Sequence, residues 1–247
     1  MNLIRTSAAA IAIAAVSALP AFAADAVVYE APVVLEEEVA SAIDIAFGAT
    51  FTSRYVSRGV AYTDGPTLQG YVEASYDWAY VGVWASGVSG INADPDNVEI
   101  DVYGGIRPTF GNLTVDIGYV HYFYDETGEC CGEAYIKPSY QFTDEFSAGL
   151  ELYHDFESDA TYGVATAAVE LPYDFTLSGG IGRQFQDGNE VDWNVGLSYT
   201  YADLITFDVR YHDSDFNREY FVASVSFDTS FNSVREMFAG GQFGGGR

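Results

Sequence analysis

The sequence predicts an all-β fold, a transmembrane antiparallel β-barrel of about twelve strands with short turns on one rim and longer loops on the other. Three observations carry this reading. Apolar and polar residues alternate at period two in segments of about ten residues, the pattern of a strand whose two faces meet different solvents. The connections between segments alternate between brief and long. A secretory leader opens the chain.

Composition narrows the classes further. The 247 residues carry 36 acidic against 10 basic side chains, a formal net charge of −26, and 16% aromatic residues. Nucleic acid is excluded as a partner, because neutralising phosphates needs clustered Lys and Arg, and Lys137 is the single lysine. Disorder is excluded by the abundance of Tyr and Phe. After the N-terminal segment no apolar run is long enough for a spanning helix.

Residues 1–23 read as a signal peptide: Arg5 gives a positive start, Ala8 to Leu19 an apolar run, and Ala21-Phe22-Ala23 a cleavage site after Ala23. Residues 24–40, with Asp25, Glu30, Glu36, Glu37 and Glu38, read as an acidic, extended periplasmic lead-in. The barrel is assigned to 41–231. Its first strand sets Ile43, Ile45, Phe47, Ala49 and Phe51 against Asp44, Gly48, Thr50 and Thr52. The second sets Leu68, Val72 and Ala74 against Gln69, Tyr71 and Glu73, and the third, 79–88, carries Val81 and Val83. The fourth opposes Val98, Ile100 and Val102 to Glu99, Asp101 and Tyr103; the fifth opposes Ile117, Tyr119 and Phe123 to Thr114, Asp116 and Gly118. The sixth, 134–142, sets Ile136 and Tyr140 against Lys137 and Ser139, and the seventh sets Leu150 and Leu152 against Glu151 and Tyr153. In the eighth, 162–171, alanines blur the two faces. The ninth to twelfth present Leu177, Val195, Val209 and Val225 on one face, and Ser178, Asp192, Asp208, Arg210 and Ser226 on the other.

Brief turns fall at 77–78, 108–112, 143–145, 172–174 and 201–203, and long polar loops at 56–66, 89–97, 125–133, 157–161, 186–190 and 212–218. A soluble β-sandwich would bury its apolar faces equally well. It has no need of aromatic residues beside both sets of connections, and here Tyr76, Trp78, Tyr80, Phe142, Phe146 and Tyr173 flank the turns while Tyr55, Tyr122, Phe123, Tyr124, Phe156 and Tyr211 flank the loops. That distribution reads as two interfacial girdles. Phe231, preceded at alternating positions by Phe227, Val225 and Ala223, has the form of a C-terminal recognition signal for the barrel-assembly machinery, although residues 232–247 continue as a Gly-rich tail expected to be flexible.

Several blocks carry a family resemblance. Thr52-Ser53-Arg54-Tyr55-Val56-Ser57-Arg58-Gly59 leading to Thr63-Asp64-Gly65-Pro66-Thr67-Leu68-Gln69-Gly70 resembles the start of the TorF-family porins of proteobacteria. Glu99-Ile100-Asp101-Val102-Tyr103-Gly104-Gly105, the stretch Asp116 to Tyr124, and Tyr135-Ile136-Lys137-Pro138-Ser139-Tyr140 resemble later strands of that family. The resemblance implies a channel in the outer membrane of a Gram-negative bacterium, in contact with lipid and lipopolysaccharide. It supplies no catalytic residues.

Taking the polar face as inward, the strands place Asp44, Glu73, Asp77, Glu99, Asp101, Asp116, Glu151, Asp155, Asp192, Asp208 and Asp228 in the lumen, against Arg54, Lys137 and Arg210, with Arg58 on the first long loop close to Glu73, Glu99 and Asp101. Buried charges must be paired or wet, so such an excess of acid reads as a water-filled lumen that favours cations over anions. The functional expectation is a passive diffusion channel for small hydrophilic solutes, with a non-conducting structural or surface-interaction barrel as the alternative. Enzyme chemistry is thinly represented. His212-Asp213-Ser214 puts a His and a Ser on one strand face, as a barrel lipid hydrolase requires, but parity points His212 inward, away from lipid. No cofactor is implied, and the three histidines are too scattered for a metal cluster. Cys130 and Cys131 are adjacent in a polar loop and are expected to pair in an oxidising compartment.

Overall fold

A computed structural model of the chain describes residues 43–90, 92–185 and 190–239. The segments read as a signal peptide and an acidic lead-in, residues 186–189 of one long loop and the tail from 240 onward lie outside the described residues. Twelve long strands follow in order: β1 Asp44–Thr52, β2 Thr67–Tyr76, β3 Ala79–Gly87, β4 Val98–Ile106, β5 Leu113–Tyr124, β6 Gly128–Gln141, β7 Phe146–Asp155, β8 Ala160–Leu171, β9 Phe175–Gln184, β10 Val191–Tyr201, β11 Ile205–Ser214 and β12 Tyr220–Ser230. Every neighbour is antiparallel. Sequential hairpins pair each strand with the next, and β1 closes on β12 from Ala46 opposite Ser230 to Thr52 opposite Ser224. Closure removes the sheet edge, so every strand backbone group finds a partner without water, the condition for crossing lipid with strands.

The side-chain period of two then fixes what faces outward. Phe51, Leu68, Val72, Val81, Leu150, Ile181, Val209 and Phe221 are all exposed on the outer wall, while Thr50, Gln69, Glu73, Asp101, Ser178 and Arg210 between them are buried inside. The register of β8 is resolved by its alanines: Ala165 and Ala167 face out, and Tyr162, Val164 and Ala168 face in. In two of the three-residue turns, Tyr173-Asp174 and Ala202-Asp203 adopt positive φ, a twist that suits a tight connection between right-twisted strands.

Four boundaries differ from the sequence reading. The stretch 125–133 is not a loop: β5 and β6 run on as a paired ladder to a turn at 125–127, and residues 128–132 of β6 extend past the end of its pairing with β7, a polar stretch in which the alternation disappears. Residues 231–239 form a helix, α1 Phe231–Ala239, rather than the start of a flexible tail; its first turn is tied to the barrel because Asn232 N donates to Asp44 Oδ1 at 3.1 Å. Asp77 sits exposed in a turn at φ 54° and does not line the lumen. Finally Tyr80, Tyr55 and Tyr122, assigned to the girdles, point inward and are buried.

Candidate functional site

The lumen is lined by two unlike halves. On β2 to β8 the inward residues are large: Tyr71, Tyr80, Trp84, Tyr103, Tyr122, Tyr135, Tyr153 and Tyr162 are all buried. On β9 to β12 and β1 they are mostly small and hydroxylated, with Thr176, Ser178, Ser198, Ser224, Ser226 and Thr50.

The tyrosines interlock with glycines of the neighbouring strands. Tyr103 lies opposite Gly82 in the ladder, and a Cβ on Gly82 would come within 2.4 Å of the Tyr103 ring. The same relation holds for Tyr135 over Gly118, Tyr71 over Gly48, Tyr80 over Gly105 and, diagonally, Tyr162 over Gly182. Arg210 lies across Gly196 in the same way. Each glycine leaves a slot on the wall into which the neighbouring strand's side chain folds flat, the use of strand glycine where another group must approach closely.

Near the turn rim Arg107 gathers a belt of charge. Its guanidinium meets Glu73 and Asp116, each at 3.2 Å, and covers the Tyr80 ring at 4.1 Å. The Tyr80 hydroxyl donates to Asp116 and meets the Tyr135 hydroxyl at 2.6 Å. Lys137 lies over the Tyr135 and Tyr153 rings.

Near the loop rim the first long connection, residues 53–66, folds into the barrel. Arg54 braces its base by donating to the carbonyls of Thr63 and Asp64 at 3.0 and 2.9 Å, so this arginine organises the loop rather than lining the pore. A hairpin of Val56–Ser57 with Val60–Ala61 follows, its tip Arg58-Gly59 both at positive φ. Val56 and Ala61 pack on Tyr220 and Val222 of β12, and Tyr55 stacks on Tyr62 with its edge towards Trp84 of β3. The tip crosses the lumen. Arg58 places two nitrogens 2.8 Å from the two carboxylate oxygens of Glu133 on β6 and sits 4.7 and 4.6 Å over the Tyr153 and Tyr162 rings of β7 and β8. Gly59 abuts β11 and β10, where an added Cβ would lie 2.7 Å from Ser214. One loop thus touches opposite walls.

The sequence-predicted inward residues distribute over these features. Glu73 and Asp116 belong to the Arg107 belt, and Asp208 pairs with Arg210 at 3.0 Å. Arg58 meets Glu133 with two guanidinium nitrogens, a partner that its position in the chain did not reveal. Glu99 and Asp101, buried on β4, lie beneath the inserted loop. Glu99, Glu151 and Asp192 accept hydrogen bonds from the hydroxyls of Tyr124, Tyr153 and Tyr162, and Asp155 from Ser158. Arg107 and Glu133 escaped sequence reading because one sits in a turn and the other in an apparent loop. His212 faces the lumen between Asn194 and Tyr220, and the Ser214 hydroxyl accepts from Asn217 N at 3.1 Å. Among the described residues no group of three or more His, Cys, Asp or Glu side chains is placed to hold a metal. Cys130 and Cys131 form a disulfide at the bulge where Tyr122 pairs with Cys131 and Phe123 with Glu129.

This architecture is that of the twelve-stranded outer-membrane porins. Over 74% of this chain and 98% of the other, it superimposes on the KdgM porin with a TM-score of 0.59 at 11% identity, and on the KdgM porin in complex with disordered oligogalacturonate with a TM-score of 0.58 at 10% identity. The NanC porin aligns over 75% of this chain and 98% of its own at 14% identity, with a TM-score of 0.49. Residues 36–239 match the model of a family of bacterial proteins of unknown function, Gcw_chp, and the chain belongs to that family. No curated protein matches it in sequence.

Proposed function

We propose that the protein is a passive diffusion channel of the Gram-negative outer membrane, taking small hydrophilic solutes and favouring cations, with its constriction formed by the inserted loop around Arg58. The long loops then face the cell exterior and the short turns the periplasm. The resemblance of the sequence blocks to TorF-family porins points the same way.

The observation that carries the reading is how the lumen treats its acids. Phenol hydroxyls hydrogen-bond Glu151 and Asp192 without adding a positive charge, whereas guanidinium groups pair with Glu73, Asp116, Glu133 and Asp208. Charge left unneutralised inside a low-dielectric wall needs water, and it attracts cations. A polyuronate such as the KdgM ligand carries a carboxylate on every sugar and is poorly matched to such a lumen.

One observation favours the alternative, a non-conducting barrel: Tyr55 of the inserted loop and Glu99, Asp101 and Tyr153 on the wall are almost wholly buried. Single-channel recording of purified protein in planar bilayers decides between the two. Discrete conductance with a cation-favouring reversal potential is expected; silent, well-inserted barrels would transfer the assignment to the structural reading.

A further inference from the structure

We propose that α1 is a membrane-surface anchor, lying in the bilayer boundary at the short-turn rim with its apolar side among phospholipid acyl chains and Arg235 at their phosphates. In the β1–β12 ladder Thr229 stands opposite Phe47, so both belong to the lipid-facing side of the wall. Farther along the same two strands that side is bare, with Phe51, Phe221 and Phe227 exposed. Towards the rim it is covered. Ile45 and Phe47 are half-buried and Thr229 is only 2% exposed, at the place where α1 packs against β1 and β12. The Phe231 ring lies 5.9 Å from that of Phe47. Ser230 caps the helix, accepting from Ser233 N at 3.2 Å, and Asp44 accepts from Asn232 N, so the direction in which α1 leaves the wall is held by both strands.

Phe231 is nevertheless 59% exposed, a large ring continuing a surface that lipid already meets. The helical period brings positions 231, 234, 237 and 238 to one side, where the sequence has Phe, Val, Met and Phe, and leaves Asn232, Ser233 and Glu236 off it. Arg235 stands one turn after Phe231, at the edge of that side. Arg58, Arg107 and Arg210 are each paired with a carboxylate, whereas Arg235 is exposed and has no such partner among the described residues. An apolar side bordered by a free guanidinium is the pattern of a helix lying in a lipid interface, with the arginine stem along the acyl boundary and its head at phosphate.

Continuity with the wall selects the occupant. Whatever meets Phe231 also meets Phe47 and the bilayer around it, so phospholipid fits the face better than a soluble protein does. The inference needs a barrel that spans a bilayer and does not require that the barrel conduct.

The test uses full-length protein in phosphatidylethanolamine–phosphatidylglycerol vesicles. With Cys130 and Cys131 joined to each other, an introduced thiol is the one that reacts, and V234C, M237C and E236C are labelled singly with nitrobenzoxadiazole. Heat-modifiable gel mobility confirms the fold of each. Labels at 234 and 237 should emit at shorter wavelength than the label at 236, and lipid brominated near the headgroup should quench about half of their emission or more. Iodide on both sides of the vesicle should quench 236 best. Equal iodide quenching at all three positions would place α1 in water and overturn the anchor. Labels at 234 and 237 that neither lipid nor iodide reaches would overturn it as well, since α1 would then be docked on protein.

Discussion

Arg58 and Glu133 face each other across the barrel from elements 75 residues apart in sequence, with two parallel contacts of 2.8 Å between guanidinium and carboxylate. Bidentate pairing is the strong form of this interaction, and the rings of Tyr153 and Tyr162 shield it on one side. Tyr122 donates its hydroxyl to the same carboxylate at 2.8 Å, so Glu133 has a partner on the wall as well as on the loop. The loop tip is paid for locally, since Arg58 adopts φ 46°, a conformation that only glycine and a few polar residues accept cheaply. Its latch is what keeps it there.

Substitution R58A should therefore release the tip. Single-channel conductance should rise by a factor of about two or more, and loop proteolysis should increase. The barrel wall, which the loop does not build, should keep its heat-modifiable mobility. E133Q retains Tyr122 but removes the charge, and should give a smaller rise. A double-mutant cycle on gating noise should show coupling of about 1–3 kcal/mol, as expected for residues in one network. Unchanged conductance in R58A would mean that the loop is not the constriction.

The glycine slots make a prediction of opposite sign. In G82A the new methyl would sit 2.4 Å from the Tyr103 ring, whose far end swings away more readily than the sheet deforms. The ring has one direction to go, into the lumen. Conductance should fall, and G82A with Y103A should restore it. If G82A conducts as the wild type does, the tyrosine is not held flat by that glycine.

What the sequence made legible follows from one physical fact, that lipid and lumen impose opposite polarity on alternate residues. Leu68, Val72 and Val81 could be placed outside, and Gln69, Glu73 and Asp101 inside, without coordinates. The signal vanishes where that contrast does. Glu133 sits at the end of the pairing between β6 and β7, beside a polar stretch without alternation, so its strand reads as loop; Arg107 lies in a turn with no parity at all. The flat packing of Tyr103 on Gly82 is a cross-strand relation, and it needs the register before it can be seen. The insertion of residues 53–66 is long-range packing against Glu133, Tyr153 and Ser214, which no local pattern encodes.

The loop rim should loosen in acid. Asp125 is held below the usual carboxylate range by the backbone N–H groups of Asn97 and Val98. Asp96 is pushed up by desolvation, but hydrogen bonds from Thr127 and Glu126 outweigh that and hold it low. Groups depressed in the folded state lend stability that is complete above the unfolded pKa, near 4 for Asp, and is lost as pH falls through the folded value. Hydrogen exchange at Glu126 and Thr127 should accordingly be flat from pH 5 to 8, after correction for intrinsic rates, and accelerate below about 4. D96N should show the fast rate at every pH. Exchange that is slow at pH 3 would contradict the assignment.

The Cys130–Cys131 bridge closes almost no chain, so it removes little entropy from the unfolded state. C130S with C131S should assemble normally and shift the unfolding midpoint by only a degree or two, on the scale of a change well under about 1 kcal/mol. Mass spectrometry of protein from intact cells should find the pair oxidised. Failure of the double variant to assemble would show that the bulge at Tyr122 and Phe123 depends on the bridge.

Ion selectivity should depend on the acids that lack a cationic partner. Glu73 is bound to Arg107, so E73Q should shift selectivity little and instead cost stability of about 1.5–3 kcal/mol, the worth of a hydrogen bond to a charged group. Glu151 and Asp192 differ, because a tyrosine hydroxyl satisfies each without cancelling its charge. Asp228 meets Tyr71 over Gly48 in the same manner. In E151Q with D192N and D228N the bi-ionic reversal potential should move toward zero, while the outer wall and the Arg107 belt stay intact. Wild-type selectivity should also weaken with salt, since the screening length falls from about 10 Å at 0.1 M to about 3 Å at 1 M. If the lumen field were set by total acid, E73Q would shift the potential as much as any one of these substitutions. A triple variant with unchanged reversal potential would place the selective charges outside the lumen, on the acidic loops of the rim.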